Sequence, residues 1–133
     1  MAPAGPQPGA SAETTYVVAA ADTAIAVGSG GLAVLGTPRL LAWMEAATCD
    51  ALAGSLAEGA TSVGTRMSVE HLKPSPIGAT VRVRAELNHV DGRLTRFLVV
   101  AHHPDGVAVG HAEITRVVVD AQRFLSRVAT MPS

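Results

Sequence analysis

From residue 63 to residue 71 the chain alternates: Val63, Thr65, Met67, Val69 and His71 fall on one face, and Arg66, Ser68 and Glu70 on the other. That period of two is the signature of a half-buried strand. The run LKPSPIG ends it with two prolines. A second alternation follows, with Val81, Val83, Ala85 and Leu87 set between Arg82, Arg84, Glu86 and Asn88. Asp91-Gly92 marks a tight hairpin, residues 93–102 return as the partner strand, and Pro104-Asp105-Gly106 turns the chain again. Residues 107–119 form the last long strand, and residues 123–128 follow as a short helix or extended segment. Upstream, TTYVVAA at 14–20 reads as a strand and GSGGLAVLG at 28–36 as a loop.

Between that loop and the first alternation the pattern changes. Thr37 is a good N-cap, Pro38 suits the first helical turn, and the Ala- and Leu-rich stretch to about residue 57 has no interior proline. Gly54 weakens this helix and Gly59 stops it. At 100° per residue, with Leu41 at zero, Leu52 lies near about 20°, Glu45 near about 40° and Thr48 near about 340°. Arg39 and Asp50 lie on the opposite side. Glu45 thus falls in the apolar stripe, where an unpaired carboxylate bears a heavy desolvation penalty.

One long helix and an otherwise antiparallel set of strands make an α+β domain. A helix apolar on most sides needs cover on most sides, which a strongly curved sheet supplies. The core is aliphatic, because 48% of residues are hydrophobic and only 3% aromatic. Net charge is −1 with no run of like charge, which leaves no electrostatic footprint for nucleic acid or an anionic membrane. The single cysteine, Cys49, excludes an intrachain disulfide, and no histidine has metal-ligand spacing with a carboxylate. No cofactor or metal is expected. Residues 1–12 carry three prolines and two glycines and are expected to be a disordered tail, with one domain over 13–128 and a second tail at 129–133. No segment has the length of a signal peptide or membrane span, and the expected location is cytoplasmic.

Three side chains carry candidate chemistry. Glu45 either works in the stripe, reaches solvent around the helix, or satisfies a buried donor. Thr37 lies on about the same side two turns earlier, where capping alone would explain it. His71 closes the alternating strand on the face expected to meet the helix, as a reactive group or a satisfied core histidine. Together they offer a hydroxyl, a carboxylate and an imidazole, the set that acyl transfer requires.

Gly36-Thr37, Trp43-Met44-Glu45-Ala46, Ser62-Val63-Gly64-Thr65, Val69 and His71 resemble the fluoroacetyl-CoA thioesterase family of hot-dog enzymes. The resemblance runs from about Thr14 to Phe124. It implies a hot-dog fold, a curved antiparallel sheet wrapped around one long central helix. It also implies hydrolysis of a short or medium acyl thioester, on CoA or a carrier protein, without a cofactor. In it Glu45 would be nucleophile or base, Thr37 would position Glu45 or substrate, and His71 would shuttle protons. Gly64 would offer a backbone N–H, and Arg116 would stand near the ligand, although an ordinary strand arginine fits as well. Members dimerise edge to edge, with the site at the subunit boundary, so a homodimer is expected, with further pairing into a tetramer left open. Residues 28–36 lack the aromatic lid of members selective for fluoroacetyl groups, so that selectivity is not expected. The competing readings are a non-catalytic acyl-ligand binder and a hot-dog hydratase or dehydratase, whose Asp, Asn-Pro and His element is missing.

Overall fold

In the computed structural model, which describes residues 5–132, five strands form one antiparallel sheet around a central helix. The strands are β1 (Ser11–Val17), β2 (Ala60–His71), β3 (Thr80–Asp91), β4 (Leu94–His102) and β5 (Ala108–Asp120). Their order is β1-β3-β4-β5-β2. Hairpins join β3 to β4 and β4 to β5, as the Asp91-Gly92 and Pro104-Asp105-Gly106 signals require. β1 and β2 are the two edges, so among the described residues β2 pairs as a strand with β5 alone.

β1 is set three residues earlier than the 14–20 reading. It begins at Ser11 and pairs with β3 from Ser11↔Glu86 to Val17↔Thr80. Gly9 and Ala10 are already tied to Leu87 by backbone hydrogen bonds. Of the tail expected over 1–12, residues 1–4 lie outside the described residues. Before the helix the chain makes a 3-10 turn at Ala20–Asp22 and one helical turn, α1 (Ala24–Val27).

The central helix, α2 (Thr37–Leu52), ends before Gly54 rather than near residue 57, in keeping with the backbone freedom that glycine would have to surrender. Its buried residues are Leu40, Trp43, Met44, Ala47, Thr48 and Leu52. They join Val81, Val83, Ala85, Leu87, Phe97, Val99 and Ile114 of the sheet in one core. Trp43 stacks on Tyr16 of β1, with ring centroids 4.3 Å apart and planes 4° from parallel. The buried stripe is therefore rotated toward Leu40 and Met44, and Leu41 and Glu45 occupy its flank, both half-buried. Glu45 borders the core on the side of β2 and β5.

The alternation read along β2 breaks at a bulge. Gly64 pairs with Arg116 and Arg66 with Thr115, which leaves Thr65 as the extra residue. A one-residue insertion flips every side chain before it. Ser62 and Gly64, not Val63 and Thr65, share the helix-facing side with Met67, Val69 and His71. After β5 the chain turns into α3 (Ala121–Ala129), which buries none of its residues.

Candidate active site

The helix start is built by Gly36. Its N–H donates to the Asp22 carbonyl (2.9 Å) and its carbonyl accepts from Leu40 N (3.0 Å), so Gly36 holds the cap position expected for Thr37. A side chain there would collide with Val27 Cγ2 at 2.7 Å and Ala24 Cα at 3.1 Å. Thr37 is displaced into the first turn, and its hydroxyl is released from capping. Instead Oγ1 lies 2.8 Å from His71 Nδ1.

His71 ends β2, where it pairs with Gly110. Its Nε2 is buried and has no hydrogen-bond partner among the described residues. Burial holds the imidazole below the ordinary histidine range, an effect that the backbone of Lys73 partly offsets. Thr37 and His71 line a cavity of about 310 Å³, walled by Leu32, Val34 and Leu35 on one side and Pro74 on another. The 28–36 loop thus covers this pair with aliphatic groups and no aromatic ring.

Glu45 lies with a different set. Its Oε2 accepts from Arg116 NH1 at 3.2 Å. Arg116 is buried at 7% exposure, and Nε and NH2 donate to the Ser62 hydroxyl (2.8 Å) and carbonyl (3.1 Å). Such a gripped guanidinium is a fixed charge rather than a mobile one. Gly64 completes the group: a Cβ there would meet Met67 Cε at 2.5 Å, Glu45 Oε2 at 2.9 Å and Arg116 NH1 at 3.3 Å. Only a glycine lets the carboxylate rest against the strand.

One chain therefore holds these residues in two groups. Thr37 and Glu45 are eight residues apart on α2, about 12 Å along the axis. The hydroxyl and imidazole meet at one end, and the carboxylate, Gly64 and Arg116 meet at the other. Glu45 does not line the cavity that Thr37 and His71 share. The Arg116 pairing was not read from the sequence. Its signal lay in β5, where Arg116 shares the period-two face of Ile114 and Val118, an arginine out of place just as Glu45 is on the helix.

A profile of the fluoroacetyl-CoA-specific thioesterase family matches residues 18–122. The fluoroacetyl-CoA thioesterase of Streptantibioticus cattleyicolor is 38% identical over 96 residues, 71% of this chain and 68% of that protein. The chain belongs to the fluoroacetyl-CoA thioesterase family. The solved structure of the family's fluoroacetyl-CoA thioesterase FlK superposes with a TM-score of 0.86 at 28% identity, over 95% of this chain and 98% of the other. A hot-dog-like protein from Thermanaerovibrio acidaminovorans has a TM-score of 0.84 at 25% identity, over 95% and 94% of the two chains. The fold is the hot-dog fold. Residues 28–36 carry no phenylalanine, and both groups of residues fall inside the matched span.

Proposed function

We propose that this chain hydrolyses a short or medium acyl-CoA thioester at a site shared by two copies. The unpaired edge of β2 supports the shared site. A two-fold axis at Ser68 lies three paired positions from His71 and, because Thr65 is bulged out of the ladder, three from Gly64 as well. Antiparallel pairing of β2 with its own copy about this axis therefore sets Gly64 opposite the partner's His71. Glu45 of one subunit then faces the Thr37–His71 pair of the other across the continuous sheet. Two equivalent sites result.

In each, Glu45 attacks the thioester carbonyl directly or deprotonates the water that does. The carbonyl π electrons move to oxygen, where the Gly64 backbone N–H receives the developing charge. Collapse expels the CoA thiolate, and neutral His71 takes a proton from the hydrolytic water, directly or by way of Glu45, and passes it to sulfur. In the direct route water then opens the Glu45 anhydride. Either route yields a carboxylate and the free thiol. Arg116 is a positioning residue that holds Glu45. The aliphatic cavity beside Thr37 receives the acyl group. Its size suits a short or medium chain, and its lack of aromatic rings argues against selection for fluoroacetyl.

The single observation that carries this reading is the Thr37–His71 contact on the floor of the cavity, with Nε2 left free for proton transfer. The test is thiol release from a panel of acyl-CoAs, followed with a thiol reagent. Turnover that disappears in Glu45→Gln is expected. A folded protein that binds acyl-CoA but cleaves none of the panel overturns the reading.

A further inference from the structure

The cavity that holds Thr37 and His71 has a charged residue in its wall that neither the attack nor the proton transfer uses. Lys73 lines it, two residues past His71. It is the single lysine among ten basic residues. No Asp or Glu lines the cavity among the described residues, and Lys73 makes no ion pair there. The opposing loop adds uncharged polar groups. Ser29, Gly30 and Gly31 belong to the same wall. The Ser29 N–H is spent on the Ala24 carbonyl at 2.9 Å, whereas those of Gly30 and Gly31 have no partner among the described residues. Successive free backbone donors form an anion-receiving concavity. Gly31 is open to approach, since a Cβ there would meet nothing within 4 Å.

The two walls are tied together. Leu35 N donates to the Ser75 carbonyl at 2.8 Å, which joins the loop to the segment 72–76 that carries the lysine. Ser75 is fully buried, and its Oγ lies 2.8 Å from His103 Nε2. Lys73 N donates to the Val109 carbonyl at 3.1 Å. The backbone of Lys73 and the loop are thus set before any ligand arrives, which lowers the ordering cost of binding. Leu32, Val34 and Leu35 supply the apolar part of the wall. A cavity with an aliphatic lining, one cation and free N–H donors suits methylenes that end in an anion. A plain alkanoyl chain would gain nothing from the lysine.

We infer that the acyl group taken at this site ends in a second carboxylate, so that the substrate is a monothioester of a short dicarboxylic acid. Lys73 is the specificity-determining residue, its ammonium meeting that carboxylate with the Gly30 and Gly31 N–H groups beside it. The inference rests on the thioesterase reading and specifies its acyl group. Water cleaves the C–S bond as before, releasing the dicarboxylate and the thiol, and the distal carboxylate is unchanged.

The experiment compares glutaryl-CoA with pentanoyl-CoA, which match in acyl length and differ in the distal carboxylate. Wild type is expected to favour glutaryl-CoA in kcat/KM. Lys73→Met is expected to cut that preference about tenfold, mainly through KM, the size of one charge-assisted hydrogen bond. Lys73→Arg is expected to restore much of it. Lys73 is exposed, so both variants should fold with an unchanged Tm. Binding is read separately by calorimetry on the Glu45→Gln protein. Glutaryl-CoA is expected to bind about tenfold tighter than pentanoyl-CoA, and adding Lys73→Met is expected to remove the difference. This readout needs no hydrolysis. A protein that binds glutaryl-CoA more tightly but cleaves neither thioester keeps the anion site and loses the thioesterase reading. One that cleaves and binds pentanoyl-CoA as well as glutaryl-CoA keeps the thioesterase reading and overturns the inference. An equal loss on both substrates in Lys73→Met also overturns it, because the lysine then meets the CoA they share.

Discussion

Arg116 reaches Glu45 across the bulge in β2: NH1 lies 3.2 Å from Oε2 while the rest of the guanidinium is bound to Ser62. The two residues are 71 positions apart in the chain, and each interrupts an otherwise apolar face. Replacing Arg116 with Ala leaves a half-buried carboxylate without its partner and a cavity beside it. A loss of about 1–3 kcal/mol in stability is expected, below the cost for a fully buried pair because Glu45 keeps 35% exposure. Arg116→Lys restores the charge without the fork and should recover stability more than activity. Urea denaturation beside steady-state kinetics reads both.

Glu45→Gln keeps the shape and removes the charge. kcat should fall about 100-fold or more, the range seen when a nucleophile or base is lost. Stability should change little, since the amide oxygen still accepts from Arg116. Retention of full activity would remove Glu45 from the chemistry.

Gly64→Ala tests the tight approach. The new methyl meets Met67 Cε, which can swing away, and Glu45 Oε2, which cannot do so without leaving Arg116. A drop of about tenfold in kcat with a stability cost of about 1–2 kcal/mol is expected. An unaltered kcat would show that the carboxylate does not act from this position.

The imidazole gives a pH signature. Burial lowers the His71 pKa below its ordinary value of 6.5, so the unfolded chain binds the extra proton more readily. The stability from neutral His71 is therefore complete above pH 6.5 and is lost as pH falls through the lower, folded value. Thermal unfolding should show this acid-side loss in wild type and a smaller one in His71→Gln. kcat should fall over the same window if neutral His71 accepts a proton in the rate-limiting step.

Shared sites predict complementation. Glu45→Gln and His71→Gln should each be inactive as homodimers. In a mixed dimer one site carries both lesions and the other carries neither. With random exchange, roughly one quarter of wild-type activity should return on mixing. No recovery between variants shown to exchange would place the whole site within one subunit.

The elements whose signals are local were legible in the sequence. Asp91-Gly92 marked a hairpin because that pair suits the turn, and the alternation of β3 survived because nothing interrupts it. The start of α2 was read one residue late, since Thr37 caps as well on propensity as Gly36 does by close approach. The bulge at Thr65 was invisible, as it leaves no mark in a period-two pattern except the phase error it creates. Glu45 was correctly suspected as a misplaced charge, but periodicity set it too deep in the stripe. Its partner required the fold, because no spacing rule links a helix to a strand so far along the chain.

The stack of Tyr16 on Trp43 gives the molecule an optical reporter. Trp43 is the only tryptophan and Tyr16 the only tyrosine, so intrinsic emission arises from a single spot where helix meets edge strand. Glu45 lies two positions further along the same helix. Fluorescence therefore registers any lifting of that helix from the sheet, without a dye or a substitution.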